Sequence, residues 1–249
     1  MNHQFLKLTG KYFFNDNRWL ETLVAGQLNV RKEFDIRRGG RSSIPALNLR
    51  QYNVLVSGKY HHRFSSTLNL ISGLQYTFID NTNNPETGVF PLIPDYLSNE
   101  LGSFVRITKQ VEKHRWEVGA RYDYLNQRVV RVNRDPDPII ERFNNNFHNL
   151  SATAGWTYLF RPNLRLTGNL GLATRNPAIN ELYSNGLHQG VSGIEEGDVN
   201  LKREESIKST LSFSGSEHDH FSFEILGYYQ RIKNYIYLDP QDSLRITLR

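Results

Sequence analysis

Apolar side chains recur at alternate positions along most of this chain. Leu6, Leu8, Gly10, Tyr12 and Phe14 share one parity and Phe5, Lys7, Thr9, Lys11 and Phe13 the other, so a first strand runs to about Phe14. A period of two marks a strand with one apolar and one polar face. Asn15-Asp16-Asn17-Arg18 then supplies the Asn and Asp that tight turns favour. A second strand sets Leu20, Val24, Leu28 and Val30 against Glu21, Gln27, Asn29 and Arg31, and a long break follows from Asp35 to Asn48. A third strand carries Tyr52, Val54, Val56 and Tyr60 opposite Asn53, Ser57, Lys59 and His61. It turns near Arg63 to Ser66 into a fourth, with Leu68, Leu70, Leu74, Tyr76 and Phe78 on one side.

The rhythm persists. Asp80 to Tyr96 reads as a long loop, Leu101 to Val111 as a fifth strand and Glu112 to Arg115 as a short turn. The sixth strand alternates Trp116, Val118, Ala120, Tyr122 and Tyr124 with Glu117, Arg121 and Asp123. After a long loop from Asn133 to Asn146, the seventh places Leu150, Ala152, Ala154, Trp156, Tyr158 and Phe160 on one parity. Arg161-Pro162-Asn163 turns into an eighth strand, where Leu164, Leu166, Leu170 and Leu172 oppose Arg165, Thr167 and Asn169. A ninth carries Ile207, Leu211 and Phe213 to about Gly215, and Ser216 to Asp219 turn the chain into a tenth, from about Phe221 to Leu238.

Ten strands joined by alternately short and long connections predict an all-β fold, an antiparallel up-and-down transmembrane β-barrel segment. In such barrels the connections at one rim are tight and those at the other are free to grow. Each strand should pair with its sequence neighbour. The apolar parity, with Trp116, Val118, Tyr122, Leu150, Trp156, Leu166 and Leu170, should face lipid, with Leu166 near mid-bilayer. The polar parity, with Arg121, Asp123, Arg165 and Asn169, should face the lumen. Phe14, Trp19, Phe64, Trp116, Tyr158, Phe160 and Phe221 all neighbour short turns, as a girdle of rings at one membrane interface would.

Composition tolerates this reading. Of 249 residues 22% are charged, and mean hydropathy is -0.55, values that ordinarily indicate a soluble protein. In a barrel only alternate residues meet lipid, so the average stays polar. No apolar run is long enough for a transmembrane helix. The absence of Cys excludes a disulfide framework and a thiolate metal centre. A net charge of +5 is too modest to point to nucleic acid. The opening MNHQFLKLTGKYFF has no charged leader and apolar export core, and the chain stops at SLRITLR, so residues 1–249 are expected to be one internal piece of a longer barrel protein.

Chemistry of the enzyme kind finds little support. There is no G-x-S-x-G, no phosphate loop and no H-E-x-x-H. His218-Asp219-His220 has the residue types of a metal pair but falls in a short turn, where solvated residues are common. The Asp135-to-Pro138 run lacks the Gly and terminal Glu of a calcium loop and reads as a stiff loop.

The long connection after the eighth strand is the most distinctive stretch. It supplies Arg175 and Pro177, Glu181 and Leu182, Gly186 and His188, Gly197, Asp198 and Leu201, Glu205 and Ser206. That succession resembles the barrel of TonB-dependent outer-membrane receptors, whose pattern here is Arg-x-Pro, Glu-Leu, Gly-x-His, Gly-[Asn/Asp]-x-x-Leu and Glu-x-Ser. The resemblance implies a plugged barrel of about 22 strands, with its plug domain outside residues 1–249. It also implies residence among outer-membrane lipid in a Gram-negative cell, and import of a ligand captured at extracellular loops, energised by TonB in the full-length protein. No resident cofactor is implied.

The ligand class so implied is a metal or metal complex: an iron siderophore, haem or zinc. His188 lies close in sequence to Glu195, Glu196 and Asp198, and imidazole with carboxylates suits zinc, while His alone could hold haem iron axially. Arg175-Asn176-Pro177 and Asp198-Val199-Asn200-Leu201 are similar to the boxes flanking the His of haem receptors, although the second departs from the pattern. Glu181-Leu182-Tyr183 and the Glu195-to-Asp198 run are similar to the zinc-uptake branch, and siderophore receptors share much of the loop. A loop-shaping, hydrogen-bonded His188 fits equally. Two other readings suit the strands: a passive porin-like or structural barrel, and a soluble β-rich extracellular binding protein. The latter would bury the aromatic-rich parity against a second sheet.

Overall fold

A computed structural model describes residues 2–34, 40, 42–133, 139–188, 193–217 and 220–241. The strands are β1 (Asn2–Asn15), β2 (Arg18–Glu33), β3 (Leu47–Arg63), β4 (Leu68–Asn83), β5 (Asp95–Val111), β6 (His114–Asn133), β7 (Ile139–Arg161) and β8 (Leu164–Arg175). A short helix α1 (Ile179–Tyr183) and a small ribbon of β9 (Asn185–His188) and β10 (Gly193–Glu196) follow, then β11 (Glu204–Glu217) and β12 (Phe221–Lys233). The main sheet has ten strands in the order β1-β2-β3-β4-β5-β6-β7-β8-β11-β12. Every pairing in it is antiparallel, so the meander expected from the sequence is present, with the β9–β10 ribbon standing apart.

The register carries one face unbroken across the sheet, because directly opposed residues on antiparallel strands point the same way. Leu8 opposes Val24, Val24 opposes Val56, and Val56 opposes Tyr76. Tyr76 opposes Leu101, Leu101 opposes Tyr124, and the same face continues where Trp116 opposes Trp156, Ala154 opposes Leu170 and Leu172 opposes Ile207. This apolar face is bare: Leu150 is 64% exposed and Ile225 66%. The crowded face is the polar one, where Asp123, Asn149, Ser98, Gln127 and Asn81 are buried. A soluble protein distributes its residues the other way round. No second sheet covers the apolar face among the described residues, as the soluble reading would require.

Rings close the apolar band at the short-turn rim. Tyr12 meets Phe14 at 5.0 Å, Phe14 meets Tyr60 at 6.2 Å, and His62 meets Phe64 at 3.8 Å. Farther round, Trp116 meets Trp156 at 6.0 Å, Tyr158 meets Phe160 at 4.7 Å, and Phe213 meets Phe223 at 5.6 Å. Trp19 is a correction. It points inward, stacked on His61 at 4.6 Å and donating Nε1 to Glu21 at 3.1 Å, because it opposes His61 on the polar parity. Leu166 also moves: paired with Tyr158 and Phe213, it lies at the level of these rings rather than at mid-bilayer.

Polar pairs knit the inner wall. Glu21 receives Lys11 at 3.0 Å and His61 at 3.2 Å, and Arg165 donates Nε to Ser214 at 3.0 Å. Gly102 stands opposite Asp123, and a Cβ there would come within 2.3 Å of both Asp123 Oδ1 and Arg121 Nη2, so only Gly leaves room for that ion pair.

Several strands outrun their sequence-predicted limits. β5 begins at Asp95 and β6 continues to Asn133, while Ile139 to Asn146, expected as loop, is the start of β7. Beyond the bilayer both faces of a strand meet water, so the apolar alternation that reveals it disappears. The last strand ends at Lys233, short of Leu238. Asp135 to Pro138 and His218-Asp219 lie outside the described residues.

Candidate functional site

The long connections gather at the rim opposite the short turns, and the one between β8 and β11 folds back on the inner wall. β8 ends in Arg175, and Pro177, almost wholly buried, directs the chain into α1. Glu181 on the first turn of α1 accepts the Ala178 amide at 2.7 Å and the Arg175 guanidinium at 2.9 and 3.0 Å. Arg175 Nε donates to Glu204 Oε2 at 2.6 Å, and the other Glu204 oxygen accepts the Ile236 amide at 2.7 Å. One guanidinium thus joins β8, α1, β11 and the segment after β12. Both carboxylates raise the affinity of Arg175 for its proton, Glu204 first, and the Arg175 hydrogen bond holds the Glu204 carboxyl below its ordinary range.

The buried face of α1 completes the anchor. Ile179, Leu182 and Tyr183 pack with Val129 of β6, joined by Tyr96, Phe143, Phe147 and Leu201. This is apolar surface removed from water at the mouth of a polar wall, the main driving force for docking the loop. Tyr183 packs its ring, tilted, 4.7 Å from Phe143 and donates its hydroxyl to Asn145 at 2.9 Å; burial pushes its phenol pKa upward. Behind α1, Gly197 donates to the Ser184 carbonyl at 2.8 Å, and a Cβ on it would stand 2.5 Å from the backbone of Leu182 and Tyr183.

The ribbon holds the candidate ligands. His188 Nδ1 lies 2.6 Å from Glu195 Oε1, since Gly186 opposes Glu195 and residues 186, 188 and 195 share one face. Glu196 opposes Asn185 and takes the other face. Asp198 is engaged locally, accepting the Asn200 amide at 2.8 Å and its side-chain Nδ2 at 3.2 Å. The structure therefore brings together His188 and Glu195 and leaves Glu196 and Asp198 apart. Among the described residues no three His, Asp or Glu side chains converge as a metal cage.

Most other signature residues have structural partners. Arg175, Pro177, Glu181, Leu182, Gly197 and Leu201 build the anchor just described, Gly186 belongs to the ribbon, and Glu205 receives Arg203 at 3.1 Å. Parity in the sequence puts Glu204 on the polar face with Lys208, but nothing in the signature pattern marks it as the carboxylate that grips Arg175; Glu205, which the pattern does mark, points outward.

A family model described as TonB dependent receptor-like, beta-barrel, matches residues 2–247. The chain belongs to this TonB-dependent receptor barrel family. No protein of curated function matches the sequence. Among solved structures, the copper transporter OprC shares 14% identity at a TM-score of 0.70, over 94% of this chain and 39% of that one. The ferric-catecholate import receptor Fiu from K12 E. coli shares 11% at 0.65, over 92% of this chain and 40% of that one. The FrpB iron transporter from Neisseria meningitidis, in its apoprotein form, shares 12% at 0.66, over 93% of this chain and 37% of that one. At these identities the likeness is one of fold. This TonB-dependent receptor barrel chain spans about two fifths of each of these solved chains.

Proposed function

We propose that this chain forms part of the wall and rim of an outer-membrane uptake receptor, which imports a metal or metal complex with energy from TonB in the full-length protein. The observation that carries the reading is the inverted sheet: an apolar face left bare between belts of rings, backed by a wall of ion pairs, with a loop anchored over the mouth. A bare apolar band suits lipid, and a polar wall suits a plug and passing cargo. The similar solved proteins are named as copper, ferric-catecholate and iron transporters, which supports a cargo of that kind. A porin-like barrel would use the same wall, but the anchored loop favours capture over passive flow.

The rim would meet the cargo through the half-buried His188 and its partner Glu195. An imidazole held by a carboxylate is fixed in orientation, as metal-binding His residues are. Zinc, haem and a ferric siderophore are the cargoes to compare. The test is a titration of full-length receptor in detergent with each of them, for the wild type and His188→Ala, alongside uptake by cells with and without TonB. Binding of one cargo that weakens in His188→Ala, with uptake lost without TonB, supports the proposal. Uptake that persists without TonB would make the barrel passive, and unchanged affinity for all three would leave His188 as a loop-shaping residue.

A further inference from the structure

At the long-loop end, the outward face of the β6–β7 hairpin changes character in ordered steps. Tyr122, Tyr124 and His148 close the apolar band, with Tyr122 Oη 2.7 Å from His148 Nδ1 and Tyr124 Oη donating to Asn146 Oδ1 at 2.7 Å. From Trp116 to Tyr124 the wall rises about 20 Å, at ~3.3 Å per residue and ~40° of tilt, close to the apolar height of an outer-membrane barrel. Next outward, Asn126 Nδ2 donates to Asn144 Oδ1 at 2.8 Å and Asn146 Oδ1 at 2.9 Å. The amide nitrogens of Asn144 and Asn146 and the oxygen of Asn126 are not used by these bonds.

Arg128 and Arg142 follow, both exposed and facing outward. Arg128 opposes Asn144 and Arg142 opposes Val130, which makes the two positions diagonal neighbours on one face. Among the described residues neither has a carboxylate partner, and the nearby acids described are engaged elsewhere. Asp95 accepts the Asn83 amide at 2.7 Å, Glu205 receives Arg203 at 3.1 Å, and Glu141 pairs with Arg131 on the inward face. Asp80 lies farther off, on β4.

We propose that this patch binds the headgroup of a phosphorylated glycolipid in the outer leaflet, with Arg128 and Arg142 on its phosphates and the asparagine ladder on its sugar hydroxyls. Three features converge on that occupant. Paired guanidinium groups offer forked donors that match phosphate oxygens. Amides that can both donate and accept suit vicinal hydroxyls. The patch also faces away from the lumen, with Arg128 about 10 Å above the Tyr124 level. Acyl chains seated there would lie along Tyr122, Leu150 and Val118, so one amphiphile meets the guanidinium, amide and apolar zones in order. A plug or an imported cargo would meet the opposite face.

The inference rests on the outer-membrane reading, and the two can fail separately. Full-length receptor, wild type and Arg128→Gln/Arg142→Gln, would be extracted in mild detergent and titrated with bisphosphorylated lipid A, its dephosphorylated form and phosphatidylglycerol. The double variant should bind the bisphosphorylated lipid about tenfold or more weakly, and the wild type should lose a similar factor when the phosphates are removed. The inward Lys208→Gln should change neither value. Equal binding by wild type and double variant would overturn the proposal, as would phosphatidylglycerol binding as tightly as lipid A. If the double variant does not assemble, the two lipid A forms on wild type decide the question alone. Failure of the outer-membrane reading would show instead as receptor missing from outer-membrane fractions.

Discussion

Arg175 and Glu204 occupy opposed positions on β8 and β11, and their side chains meet at 2.6 Å where the sheet gives way to the loop. The contact closes a span of chain that also contains α1 and the ribbon, so the loop is held at its base as well as by its buried face. Arg175→Ala should free Glu181 and Glu204 together and cost the anchor about 1.5–3 kcal/mol, the range for hydrogen bonds to charged groups. Limited proteolysis of the full-length receptor checks this: cleavage between residues 179 and 200 should quicken, while the barrel still assembles.

The same contact sets a pH dependence. The Arg175 hydrogen bond, then the Ile236 amide, lower the Glu204 pKa in the folded loop. A carboxyl depressed on folding contributes stability that is complete above its unfolded pKa, about 4.3, and that is lost as pH falls through the folded value. Protection of the Ile236 amide, measured against its intrinsic rate at each pH, should therefore fall in acid below about pH 4, and Glu204→Gln should already show reduced protection at neutral pH. Tyr183 acts at the other end of the scale. Burial raises its pKa, so its contribution is complete below the unfolded value and declines as pH rises above it.

Gly197→Ala tests the packing behind α1. The added methyl would sit 2.5 Å from the backbone of Leu182 and Tyr183, and neither can move without lifting α1 from Val129. Overpacking of this kind costs about 1–3 kcal/mol. Hydrogen exchange across residues 179–183 should rise, with the exchange of β6 and β7 unchanged near Trp116 and Trp156.

What the sequence made legible was set by the bilayer. Where lipid lies on one side and a polar lumen on the other, alternation is forced, and Trp116 to Tyr124 or Leu164 to Leu172 could be read directly from hydropathy. Above the belt that force is gone, and Ile139 to Asn146 passed for loop although it is paired throughout with β6. The signature residues were visible as a pattern, yet their roles were not. Arg175, Glu181 and Gly197 proved to hold the loop in place, and Tyr183, part of the buried cluster, stood in the Glu181-Leu182-Tyr183 run with nothing to mark it as an anchor. Trp19 misled because its position beside a turn suggested the girdle, while its parity, shared with Glu21, placed it inside.

Membrane depth gives the last prediction. Leu166, Leu170 and Arg165 are close in sequence on β8 but differ in surroundings. Leu170 opposes Ala154 and Ser209 on the bare face, toward the middle of the band, whereas Leu166 opposes Tyr158 and Phe213 at the ring belt. Arg165 points inward and donates to Ser214. An Arg facing lipid at the midplane costs about 2–4 kcal/mol, falling to about 0–1 near the interface, where its side chain reaches the headgroups. Leu170→Arg should therefore destabilise the full-length barrel most and Leu166→Arg clearly less. Arg165→Gln should cost only the hydrogen bond to Ser214, about 1 kcal/mol. Urea-driven unfolding from lipid vesicles measures all three. Equal losses for Leu170→Arg and Leu166→Arg would mean that the rings around Leu166 do not mark the membrane boundary, and a larger loss for Arg165→Gln than for Leu170→Arg would reverse which face meets lipid.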